Sequence, residues 1–162
     1  MVKFGIYILI LEGQWKNWSL NSISGYVFGW GNGYILLPKE HPWYGKDYDN
    51  IPVNIHGGLT FGEKFNYEYF PKWIEDRNFY GDINLDNYKE FNDYWIIGFD
   101  TAHSGDNSSN CSKSFVISET DNLLNQCLND DIQEIKKYKS KFLRKSKLNN
   151  INTSVLALSS KQ

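Results

Sequence analysis

The apolar and polar positions divide the chain into short strand-like runs followed by one long helical stretch. Phe4 to Leu11 is a nearly continuous apolar run and predicts a buried strand. Gln14 to Ser24 is polar and reads as a loop. Gly25 to Trp30 predicts a second strand. Gly31-Asn32-Gly33 then predicts a hairpin turn, with Tyr34 to Leu37 as the returning strand, because Asn-Gly between apolar runs favours such turns. Pro38 ends that strand. Lys39 to Asp49 is rich in turn formers and rings and predicts an ordered loop with a single helical turn. Ile55 to Phe61 and Tyr94 to Asp100 predict two further strands. The unbroken apolar run of the latter implies burial on both faces. Asn66 to Phe91 mixes rings with acids and has no sustained period.

Leu123, Leu124, Cys127, Leu128, Ile135, Tyr138 and Phe142 recur near helical spacing. With Thr120 as N-cap and Asp121 in the first turn, they predict a helix from about Asp121 to Lys145 with one face on the sheet. The fold class expected is therefore α+β: a twisted, mainly antiparallel sheet with one long C-terminal helix packed on it. At 162 residues the chain suits one domain, residues 1–148, followed by a flexible tail at 149–162.

Aromatic residues form 17% of the chain, enough to build a core with few aliphatics and to stack flat ligands. The net charge of -2 conceals an asymmetry. All 19 acids lie before Lys136 with nine Lys and Arg, whereas from Lys136 onward there are eight Lys and Arg and no acid. Cations at a helix C-terminus suit its dipole, and this reading is preferred to a nucleic-acid contact. Cys111 and Cys127 form no CxxC pair, and the run Ile6 to Leu11 is too short to span a bilayer. The expectation is a cytoplasmic protein with no membrane partner. Nucleic acid is not an expected partner either, and self-association stays open.

The candidate chemistry lies in two segments. Ile55-His56-Gly57-Gly58-Leu59-Thr60-Phe61 and Ile97-Gly98-Phe99-Asp100-Thr101-Ala102-His103-Ser104-Gly105-Asp106 hold two of the three histidines beside carboxylates, hydroxyls and glycines. If their strands are neighbours, His56, Thr60, Asp100, His103 and Asp106 face one cleft. The spacing D-x-x-H-x-x-D lets a carboxylate orient an imidazole, the requirement of a general base. Two His and two Asp also make a divalent metal one of the open chemistries, although the spacing matches no metal motif. Each group has a structural alternative: Asp100 as a loop cap, His103 as a satisfied interior histidine, the glycines as twist corrections. Near His41, Tyr44 and Lys46 are candidates to grip a flat anion. No Walker A, GxGxxG, GxSxG or HExxH motif occurs.

The stretches Leu37-Pro38-Lys39-Glu40-His41-Pro42-Trp43-Tyr44-Gly45-Lys46-Asp47-Tyr48, His56-Gly57-Gly58-Leu59-Thr60-Phe61 and Gly98-Phe99-Asp100-Thr101-Ala102-His103-Ser104-Gly105-Asp106 resemble, in order, a family of small phage and prophage proteins. The family pattern is approximately PxxHPxYGKDY, HGG(L/I)T(F/Y) and GFDCAHxGD, followed by a C-terminal helix. This chain has Thr101 where the pattern has Cys, which argues against that cysteine as an indispensable nucleophile. The resemblance implies a phage accessory protein acting against host defence in the host cytoplasm. The first expectation is sequestration of a small phosphorylated ligand such as a cyclic nucleotide or an ADP-ribose signal. His56, Gly57, Gly58, Thr60, Asp100, His103, Ser104, Asp106, Lys46 and Tyr44 would bind it, with backbone N–H groups at Gly57-Gly58 on the phosphate. The acidic body weighs against this. The second is a hydrolase of such a ligand, with His103 as acid or base, Asp100 its orienter, and His56 with Thr60 stabilising charge or holding metal. The third is a protein–protein inhibitor whose motif residues are structural.

Overall fold

A computed structural model of the chain describes residues 6–13, 28–70, 72, 79–81 and 88–130. It is an α+β fold. Five strands, β1 (Tyr7–Glu12), β2 (Gly31–Leu37), β3 (Phe61–Lys64), β4 (Phe79–Gly81) and β5 (Trp95–Phe99), form one open sheet in the order β3-β5-β2-β1-β4. Every pairing is antiparallel. A helix, α1 (113–130), follows the last strand. The chain divides into two compact units, Met1–Cys127 and Leu128–Gln162, and of the second only residues 128–130 are described. The rest of the expected helix, 131–145, lies outside the described residues, as does the expected tail.

β2 and β5 are central and buried on both faces, as the apolar run of β5 implies. The register sets Leu36 opposite Ile96 and Tyr34 opposite Gly98, so these residues share one face. Leu9, Leu11, Tyr34, Leu36 and Ile96 pack there with Phe65, Phe70 and Phe91 from the irregular segments. Gly98 is necessary to that face. A Cβ on it would lie 2.2 Å from the Tyr34 ring, and across it Tyr34 meets Phe61 edge to face at 5.7 Å.

The opposite face explains why the expected hairpin does not form. Gly31-Asn32-Gly33 is the start of β2, paired with Glu12, Leu11 and Ile10. Its glycines answer close approach rather than a turn. A Cβ at Gly33 would come 2.1 Å from Thr120 Oγ1 and 2.6 Å from the Phe99 ring, where α1 crosses the sheet. Residues 28–30, expected as strand, are irregular, and Gly25 to Val27 lie outside the described residues.

Helix α1 begins seven residues before the expected cap. Ser112 accepts a hydrogen bond at Oγ from the Phe115 N–H (3.3 Å), the N-cap pattern. Thr120 sits inside the helix and donates to Val116 O at 2.7 Å, using the i−4 carbonyl open to a helical threonine. Val116, Thr120, Leu123, Leu124 and Cys127 form the buried stripe. Among the described residues, no helix is long and apolar enough to cross a membrane.

Candidate functional site

The antiparallel pairing of β3 with β5 puts the entrance of β3 and the exit of β5 at the same end of the sheet. The two histidine segments are those two connections. Residues 55–60 are not strand, contrary to expectation. They form a turn at His56-Gly57, with positive φ at Gly57 (65°) and Gly58 (81°), and β3 starts only at Phe61.

Each connection is fixed by polar bonds. One stripe of α1 holds the first. Gln126 Oε1 accepts from Asn54 N–H at 2.8 Å, Gln126 and Asn122 donate to Asn54 O, and Glu119 accepts from His56 N–H at 2.6 Å. The second connection, residues 100–111, is pinned to the stretch before β2. Gly29 N–H donates to Thr101 O, and Trp30 N–H to Cys111 O, both at 2.7 Å. Thr101 Oγ1 donates to Gly31 O (2.8 Å) and accepts from Gly31 N–H (3.2 Å), so the fully buried threonine is a structural tie. Asn107 and Asn110 brace the rest of the loop.

The result is a cluster centred on Asp106, which is 6% exposed. Its Oδ2 faces His56 Nε2 at 3.0 Å and His103 Nδ1 at 3.2 Å, and accepts the His103 backbone N–H at 2.9 Å. Cys111 donates its S–H to Oδ1 at 3.5 Å. The two imidazoles stand edge to face at 5.2 Å, and Phe115 of α1 meets His56 edge to face at 5.3 Å. Gly57 lies against the His103 ring: a Cβ there would come 2.2 Å from Cε1. His56 and His103 keep 26% and 35% of their side-chain surface exposed, so solvent reaches a buried carboxylate through two imidazoles.

Burial by itself would raise the Asp106 carboxyl. The hydrogen bond and charge of His56, with the N–H and ring of His103, outweigh it and hold the group below the usual carboxylate range. Burial pushes the Cys111 thiol up to about 11, with the Asp106 charge adding to it, so Cys111 is a neutral donor at ordinary pH and no ready nucleophile.

Of the expected site residues, His56, Gly57, His103 and Asp106 are brought together. Asp100 is adjacent but acts first as a loop cap. Its Oδ1 accepts from Ala102 N–H at 2.9 Å and lies 3.9 Å from His103 Nδ1, so the carboxylate that orients His103 is Asp106 rather than Asp100. Thr60 pairs its backbone N–H with Gly98 O. The Gly58 N–H is already engaged by Ile55 O at 3.1 Å, which removes half of the expected backbone cradle. Ser104 is exposed beside the cluster. Tyr44 packs on Trp95 (5.9 Å), at the far end of β5 from Asp100, and Lys46 is exposed on the same loop. Sequence reasoning missed Cys111 and Glu119, since neither lies in a recognisable motif spacing. Glu119 could have been found from its place on one helical stripe with Asn122 and Gln126.

Comparison with known protein families, with curated proteins and with solved structures finds no match to this chain.

Proposed function

We propose that the His56–Asp106–His103 cluster is the working site of a small hydrolase acting on a phosphorylated, nucleotide-type ligand. The observation that carries the reading is the ionised, buried carboxylate shared by two solvent-facing imidazoles. Such groups move protons or polarise bonds, whereas phosphate grips built only for retention rely on lysine, arginine and free backbone N–H groups. Among the described residues, no lysine or arginine pairs with Asp100 or Asp106, so the cluster lacks the cationic grip that retention alone would use. The ligand class is an expectation taken from the resemblance to small phage accessory proteins, some of which sequester or degrade nucleotide immune signals.

The test is incubation of the purified chain with a panel of cyclic dinucleotides and cyclic ADP-ribose isomers, followed by heating and mass spectrometry. New products that vanish in His56→Ala and His103→Ala support hydrolysis. Intact ligand released by heat supports sequestration instead. Binding of neither kind removes the ligand class. Undiminished counter-defence activity in a folded His56→Ala/Asp100→Ala variant would support a protein-interaction role.

A further inference from the structure

The geometry points to a divalent transition-metal site, zinc by its chemistry, held by His56 Nε2, His103 Nδ1 and Asp106 Oδ2 with a fourth position open to solvent. The inference rests on the reading that this cluster is the functional site, and it deepens that reading by naming the cofactor.

Three observations converge. The donor set, two imidazoles and one carboxylate, is that of open zinc centres, which leave one position for water or substrate. The donor atoms of His56, His103 and Asp106 all lie within 4.8 Å of one another, and the two N···O separations are 3.0 and 3.2 Å. Zinc bonds of ordinary length place tetrahedral ligand atoms about 3.4 Å apart, so the two N···O edges open slightly and the N···N edge, within 4.8 Å, closes onto the ion. The surroundings also hold the ligands in place. Cys111 bonds the other carboxylate oxygen (3.5 Å), Glu119 fixes the His56 backbone (2.6 Å), and Gly57 lies on the His103 ring.

The ion answers a charge problem in the proposed chemistry. An anionic ligand approaching Asp106 and Asp100 meets carboxylates with no lysine or arginine paired to them among the described residues. A dication reverses that local field and polarises a phosphoryl oxygen. With the ion bound, His103 is a ligand through Nδ1 and holds its ring in place, while the water on the open position is the nucleophile. That water loses a proton to solvent, its oxygen bonds to phosphorus as the P–O ester bond breaks, and the departing ester oxygen takes up a proton from solvent.

Apo protein prepared with chelator is titrated with Zn2+ by calorimetry and with Co2+ by visible spectroscopy, and the zinc form is measured by X-ray absorption. The inference expects one equivalent, a tetrahedral Co2+ spectrum, and a nitrogen and oxygen shell containing two imidazoles and no sulfur. His56→Ala and His103→Ala, both checked for folding by circular dichroism, lower affinity by more than the roughly 10- to 100-fold that outer-shell changes cost. Absence of a stoichiometric site, sulfur in the shell, or undiminished affinity in both variants overturns it. X-ray absorption on the unaltered chain keeps the test decisive if a variant misfolds. Turnover by metal-free protein would remove the ion and leave the hydrolase. Stoichiometric zinc without turnover of any ligand in the panel would do the reverse.

Discussion

His41 and the pair His56/His103 are the same residue type put to opposite uses. His41 is 4% exposed and both ring nitrogens are engaged. Nδ1 accepts the Trp43 N–H at 3.1 Å, which leaves Nε2 as the donor to Cys127 O at 3.0 Å. Its tautomer is fixed, and it ties the loop before β3 to α1. His56 and His103 each direct one nitrogen at Asp106 and leave the other without a hydrogen bond among the described residues. A histidine with both nitrogens satisfied and no exposure contributes to stability. A partly exposed one that shares a carboxylate with a second imidazole is available to a ligand.

Breaking each member in turn separates the two uses. His41→Ala opens a cavity and strands a buried N–H and a buried carbonyl, and should cost about 3 kcal/mol or more in urea unfolding. His103→Ala should cost no more than about 1 kcal/mol, yet lower turnover by roughly 100-fold or more. Equal stability losses in the two variants would erase the distinction.

Glycine variants sharpen it. Gly57→Ala places a methyl group 2.2 Å from the His103 ring at a backbone φ of +65°, so it should lose about 1–3 kcal/mol and displace His103. Gly58→Ala has open space around it at φ +81° and should show only the smaller backbone cost, about 1 kcal/mol, with the cluster intact.

Acid should weaken the pinned loop through Asp106. Its carboxyl lies below its unfolded value in the native state, so its contribution is complete above about pH 4–5, where the unfolded carboxyl is ionised too. It is lost as pH falls through the native value, because protonation then abolishes the bonds to both histidines. Asp106→Asn should flatten that part of the stability curve. The smallest expected change concerns the thiols. Cys111 and Cys127 are 2% and 0% exposed, and native protein should resist alkylation at neutral pH until it unfolds.

The sequence made the strands of the sheet centre readable because β5 is buried on both faces and so reads as an unbroken apolar run. It misled at Gly31-Asn32-Gly33. There the glycines answer to Leu11 O, Thr120 and Phe99, which are distant in sequence, and local turn chemistry cannot register them. Thr120 misled for a similar reason: a hydroxyl that bonds its own helix is indistinguishable in sequence from one that caps the next. The convergence of the two histidine segments was legible only on the condition that their strands are neighbours, and it is the pairing of β3 with β5 that meets the condition. The partner of His103 was not, since Asp100 and Asp106 are both three residues away and only the folded loop selects between them.

The central claim is that His56, Asp106 and His103 act as one unit from which His41 is separate. Long-range nitrogen NMR of the histidine rings in the native chain and in Asp106→Asn tests it most directly. The account predicts that the His56 Nε2 and His103 Nδ1 resonances both move in the variant while those of His41 stay in place. Unmoved resonances at either His56 or His103, or a shift at His41 of the same size, would contradict it.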